Sequence, residues 1–177
     1  MSGSDLSGLA EMLPDWHFRE FHSIEVPGSP EEVMRAVHAT TWAEARIARA
    51  LVAITRADVS AQRRIVPEFL GGMGEVVPAG ETEFLFGAIQ SPYELPRPPG
   101  EISDIIRESQ DPGILKIGMN VRYADGLLTT ETRILATDEK TRRHFQRYWL
   151  FIQFGSGLTR TSMLRGIRRR LLRETAG

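Results

Sequence analysis

Two ten-residue runs, 114–123 and 127–136, flank the pair Asp125-Gly126, and no other feature constrains the fold of this chain as strongly. Asp-Gly is favoured in two-residue type I′ hairpin turns, where both central residues need positive φ and the turn matches the strand twist. The register follows: Tyr123 meets Leu128, Val121 meets Thr130, Met119 meets Thr132 and Ile117 meets Ile134. Because strand side chains alternate, this pairing also assigns the two faces. One is apolar with two threonines. The other sets Arg122 against Thr129, Asn120 against Glu131 and Lys116 against Leu135, and reads as the side turned to water.

The rest of the chain supplies partners for that hairpin. Residues 16–26 suit a strand with Phe18, His22, Ile24 and Val26 on one side, although Glu20 falls on that apolar side and Phe21 on the polar one. Ser29 before Pro30-Glu31-Glu32 is a helix start with a cap, a proline in the first turn and acids there. A second helix is expected from Thr40-Thr41, carrying Trp42, Ala45, Ala48, Leu51 and Val52. Residues 69–77 and 82–89 read as strands around Pro78-Ala79-Gly80. The proline-rich 92–100 stretch reads as a surface loop, and 102–109 is open between helix and strand.

After Thr137, Asp138 can cap a long helix with Phe145, Tyr148, Trp149 and Ile152 as its apolar stripe. Gly155-Ser156-Gly157 is expected to interrupt it, with helical spacing resuming at Leu158 and running to Leu171. Residues 1–15, rich in Ser, Gly and Asp, are expected to be a loosely held terminus outside a single domain at 16–177.

A strand, two short helices, a run of antiparallel strands and one long C-terminal helix make an α+β order. This arrangement resembles the helix-grip, birch-pollen-allergen-like fold. The stretches Phe18-Arg19-Glu20-Phe21-His22-Ser23-Ile24-Glu25-Val26 into Ser29-Pro30-Glu31-Glu32-Val33, and Leu128-Thr129-Thr130-Glu131-Thr132-Arg133-Ile134 into Thr137-Asp138, carry the likeness. They resemble the START-related SRPBCC superfamily, which includes polyketide cyclases and lipid carriers, and most closely a bacterial branch without assigned activity. The resemblance implies a curved antiparallel sheet wrapped around the C-terminal helix with a ligand cavity between them. It implies no substrate, because one fold hosts many functions.

Composition removes several function classes. The chain has 177 residues and no cysteine, which excludes disulfides, thiolate metal sites and a cysteine nucleophile and suits a reducing compartment. No leader-like apolar segment opens it, so a cytoplasmic protein is expected. Ten Lys or Arg against three Asp or Glu lie in 138–177, a net of +7 in a chain of net −1. The net charge argues against a general nucleic-acid binder. The arginine-rich final helix, whose leucines and isoleucine keep helical spacing, offers contact with an anionic membrane or nucleic acid as an alternative. It reads first as a solvated face completed by the acidic remainder, so neither partner is expected. Neither the histidine spacing nor Gly71-Gly72-Met73-Gly74 matches a metal or phosphate motif, and Gly155-Ser156-Gly157 lacks the spacing of a nucleophile elbow, so no cofactor or metal is expected.

If the sheet grips the long helix, His22, Ile24, Phe84, Phe86, Met119, Val121, Tyr123, Thr130 and Thr132 converge on Phe145 and Trp149. Two readings stay open at this point: these residues line a cavity for a small hydrophobic molecule, or they fill a solid core. Three function classes follow. The first is binding of a lipid, aromatic or polyketide-like ligand. The second is a cyclase or dehydratase using His22 as general acid or base, with Tyr123 or Thr132 orienting the substrate. The third is an interaction module or homodimer acting through the C-terminal helix.

Overall fold

A computed structural model describes residues 7–55, 57–92 and 99–175. The central hairpin forms as the sequence reading requires. Strands β4 (Leu115–Ala124) and β5 (Leu127–Ala136) are joined at Asp125 and Gly126, whose φ values are 50° and 80°. Their register matches every pair derived above, including Met119 with Thr132 and Asn120 with Glu131. Strand β1 (Phe18–Glu25) pairs with β5, while β3 (Glu83–Gln90) pairs with β4 and β2 (Glu75–Pro78) adds the far edge. The sheet order is β1-β5-β4-β3-β2, antiparallel throughout.

Helix α2 (Pro30–Ala39) begins with a full capping box, in which Ser29 Oγ accepts from the Glu32 amide and the Glu32 carboxylate accepts from the Ser29 amide. The second short helix, α3 (Arg46–Ala53), starts later than Thr40-Thr41 implies. The Glu44 carboxylate takes the Thr41 amide at 2.9 Å, which folds 41–44 into a turn, and Trp42 is buried edge-on to Phe69 instead of lying on a helix. The strand expected at 69–77 is shortened to Glu75–Pro78, because Ile65–Leu70 forms a π-helical turn. Pro67 offers no amide to a ladder, and Glu68 is engaged locally with the Arg64 amide and guanidinium.

The long helix α5 (Glu139–Thr175) has 37 residues and passes without a break through Gly155-Ser156-Gly157, contrary to the interruption expected there. Two interior glycines cost about 1 kcal/mol each relative to alanine. Packing on both sides outweighs that cost, with Phe145 buried at one end and Met163, Leu164, Ile167 and Leu171 at the other. Those four join Val33, Val37, Trp42, Phe84, Phe86, Met119 and Val121 in the main apolar core, on the sheet face assigned to the helix by the hairpin register.

Across β3, β4 and β5 the opposite face does not look out to water, although on β1 it does. Helix α1 (Gly8–Met12) and helix α4 (Ile102–Glu108) cover it, and Leu9, Met12, Leu13, Leu85, Ile102 and Ile106 form a second apolar cluster there. Residues 8–13 therefore belong to the fold rather than to a loose terminus, and the open 102–109 stretch is helical. Gly87 and Gly118 are cross-strand partners that make this docking possible. A Cβ on Gly118 would lie 2.8 Å from Leu9 Cδ1, and one on Gly87 would lie 2.5 Å from Ile102 Cγ1.

The buried polar groups on this face, Glu83, Lys116, Asn120, Glu131 and Arg133, are paired. Glu83 accepts from Asn120 Nδ2 at 2.7 Å and from the Gly8 amide at 2.9 Å. Arg133 donates to Glu131 at 2.7 Å and to the Leu13 carbonyl at 2.9 Å, so the two ends of α1 are held by an acid and a base. Arg133 also stacks 4.3 Å from the Trp16 ring. Lys116 reaches the Arg107 carbonyl at the end of α4 at 3.3 Å. Burial pushes the Glu131 carboxyl up, but hydrogen bonds from Arg19 and Arg133 outweigh it and hold the group below the usual carboxylate range.

Candidate functional site

Along β1 the side chains of Phe18, Glu20, His22 and Ile24 turn inward while Arg19, Phe21, Ser23 and Glu25 are exposed. Glu20 lies beside Thr132 and His22 beside Thr130 in the ladder, so an acid and an imidazole sit next to two hydroxyls on the apolar face. Helix α5 crosses above them. Ser156 Oγ donates to Glu20 Oε2 at 2.6 Å, and His22 Nε2 lies 2.8 Å from Glu20 Oε1. Gly157 permits this closeness, since a Cβ there would stand 3.3 Å from Glu20 Oε1 and 3.4 Å from His22 Cε1.

One turn further along α5, at Ser156 plus four, Arg160 reaches down onto the Met119 sulfur. Burial pushes its guanidinium below the usual arginine range, while the charge of Glu20 pulls the other way. A half-buried cation thus lies against a thioether and feels the charge of the Glu20 carboxylate. A thioether is a weak acceptor, so the guanidinium keeps donors to spare.

An aromatic cluster adjoins these groups on the same two elements. Phe18 meets Phe145 edge-on at 5.1 Å and Trp149 at 5.8 Å, and Phe145 lies 6.0 Å from Trp149. Between Phe145 and Ser162 no described side chain of α5 is fully buried. The inward positions Trp149, Ile152, Gln153, Ser156 and Arg160 are only half-buried. Over β1, then, the helix is held by a few polar and aromatic contacts rather than by close apolar packing.

The eleven residues expected to converge under the helix divide into three groups. Phe84, Phe86, Met119, Val121 and Tyr123 are buried in the main core against α2, α3 and the end of α5, with Ile24 packed at its margin. Tyr123 donates its hydroxyl to the Gly28 carbonyl at 2.8 Å, away from His22, and Thr130 donates to the Asn120 carbonyl. Phe145 and Trp149 form the aromatic cluster with Phe18. His22 and Thr132 stand with Glu20 and, through Met119, with Arg160. Of the eleven, only Phe145 borders either of two surface clefts: one of about 890 Å³ near Leu115, Asp138 and His144, the other of about 830 Å³ near Val26, Arg122 and Arg168.

Glu20, Ser156, Gly157 and Arg160 were not among the candidate site residues: Glu20 stood as an imperfection in the β1 alternation, and Gly155-Ser156-Gly157 as a helix break without the spacing of a nucleophile elbow. Their signal was nevertheless present: an acid on the apolar side of a strand, and a serine between glycines four residues before an arginine. The order of contacts limits the chemistry. Ser156 bonds to the carboxylate and not to the imidazole, so His22 is not placed to activate it as a hydrolytic nucleophile. Nε2 is engaged with Glu20, and the other ring nitrogen of His22 has no hydrogen-bond partner among the described residues.

No family model, curated protein or solved structure matches this chain. Among the described residues, no three His, Cys, Asp or Glu side chains gather as metal ligands.

Proposed function

We propose that this chain is a helix-grip domain of the SRPBCC, START-related kind that binds a small hydrophobic molecule between β1 and the middle of α5. The observation that carries this reading is the placement of Glu20, His22, Ser156 and Arg160 inside a mainly apolar layer, beneath the stretch of α5 that has no fully buried side chain. Ligand sites combine an apolar lining with a few fixed polar groups, and this arrangement has both. The aromatic cluster at Phe18, Phe145 and Trp149 suits the body of a lipid, aromatic or polyketide-like molecule. Arg160, with donors to spare, suits a carboxylate or enolate oxygen on it.

The test is native mass spectrometry and fluorescence displacement across a panel of fatty acids, sterols and aromatic polyketides, each with and without an acidic group. Acidic members should bind the wild type and lose about tenfold or more in affinity with Arg160→Met, the loss expected when a charge-assisted contact goes. No binding by any panel member, or equal binding by the variant, would remove the proposal.

The contact of His22 with Glu20 favours a second reading, in which the bound molecule is also turned over by a cyclase or dehydratase-like proton transfer. Tyr123 has no part in it, since its hydroxyl is committed to Gly28. In that case His22→Gln should abolish conversion of a bound polyketide while leaving its affinity and the melting temperature nearly unchanged.

A further inference from the structure

We infer that the outward face of α5 docks on an anionic lipid surface. Leu150, Phe151, Phe154 and Leu158 recur at helical spacing and are 58%, 85%, 76% and 55% exposed. At about 100° per residue this stripe lies roughly opposite Ser156, so it faces away from the sheet. Apolar patches of this kind on the surface mark sites of contact.

Charge identifies what makes the contact. Arg147 precedes Phe151 by four positions and Arg165 follows Leu158 by seven, which places both arginines on the line of the stripe, about 27 Å apart. Both are exposed, and neither forms an ion pair among the described residues. By contrast Arg170 and Arg173 pair with Glu44, while Arg142 and Arg143 pair with Glu139. From 140 to 173 the helix carries no Asp or Glu.

A second copy is a poor match for this face. Antiparallel pairing about Phe154 would set Arg143 against Arg165, and parallel pairing would set each arginine against itself. A phospholipid interface accepts both parts, with phosphates for the arginines and acyl boundary for the phenylalanines and leucines. The contact is in-plane, since no described helix is long and apolar enough to cross a bilayer. It replaces the expectation that the basic end is only a solvated face, and it stands independently of the ligand proposed above.

The experiment is co-sedimentation of the full chain with phosphatidylcholine vesicles and with vesicles containing phosphatidylglycerol, at low and high salt. The wild type should bind the anionic vesicles, more weakly in high salt, and bind neutral ones much less. Phe151→Glu with Phe154→Glu should weaken anionic binding by about tenfold or more, and so should Arg147→Glu with Arg165→Glu. All four side chains are exposed, so circular dichroism and melting temperature should not change. Absence of binding, or binding unaffected by either double variant, would overturn the inference. So would light scattering that shows a dimer which the phenylalanine variant dissociates, because a second copy would then cover the stripe.

Discussion

The two faces of the sheet are covered by opposite means, apart from the outward side of β1, which is exposed. Under α5, α2 and α3 the interior is one apolar cluster running from Val26 to Leu171, stabilised by removing hydrocarbon from water. Under α1 and α4 the apolar cluster is small, and Glu83, Lys116, Asn120, Glu131 and Arg133 are buried beside it. The first face tolerates local loss in proportion to the volume removed. The second depends on complete pairing, since a buried charge without its partner costs more than the pair contributes.

The largest expected effect is therefore on the second face. Glu131→Ala leaves Arg133 buried without its carboxylate and should destabilise by about 3–5 kcal/mol, read as a shift in the urea midpoint. A change under about 1 kcal/mol would mean that this face behaves like a solvated surface. On the first face Leu164→Ala, at a position 1% exposed, should cost about 3 kcal/mol by loss of burial and residual cavity. Gly118→Ala comes next, at about 1–3 kcal/mol, because its Cβ collides with Leu9. Hydrogen exchange should then show α1 losing protection while β4 keeps it, which tests whether α1 opens as a local unit.

The smallest effect is that of pH. Because the folded-state value of Glu131 is depressed, its contribution is present above the ordinary carboxylate value and is lost as pH falls through the depressed one. The advantage of the wild type over Glu131→Gln in melting temperature should accordingly shrink only in acid, and stay constant from pH 6 to 8. A difference that varied across neutral pH would assign the effect to another group.

Part of the candidate site was legible in the chain. The alternation in β1 places His22 inward, and Asp125-Gly126 places Met119 and Thr132 on the same side. Glu20 was visible only as a flaw in that alternation, because an acid on an apolar face has no meaning until something crosses above it. Ser156 and Arg160 were hidden by reading Gly155-Ser156-Gly157 as a break. Local propensity argues for a break there, and only contacts far along the chain, Phe145 on Phe18 and Leu164 in the core, keep the helix continuous.

What the sequence determined by itself was local and periodic: the turn at Asp125-Gly126, the hairpin register, the capped start of α2, and which strand face is apolar. These depend on backbone sterics and on a side-chain period of two, both complete within a few residues. What only the tertiary structure decided was the fate of the polar face. Asn120 and Glu131 read as solvated because burial of polar and charged groups is costly, and the partners that offset the cost, Glu83 for Asn120 and Arg19 for Glu131, come from segments more than thirty positions away. No periodicity in one segment records a pairing of that range.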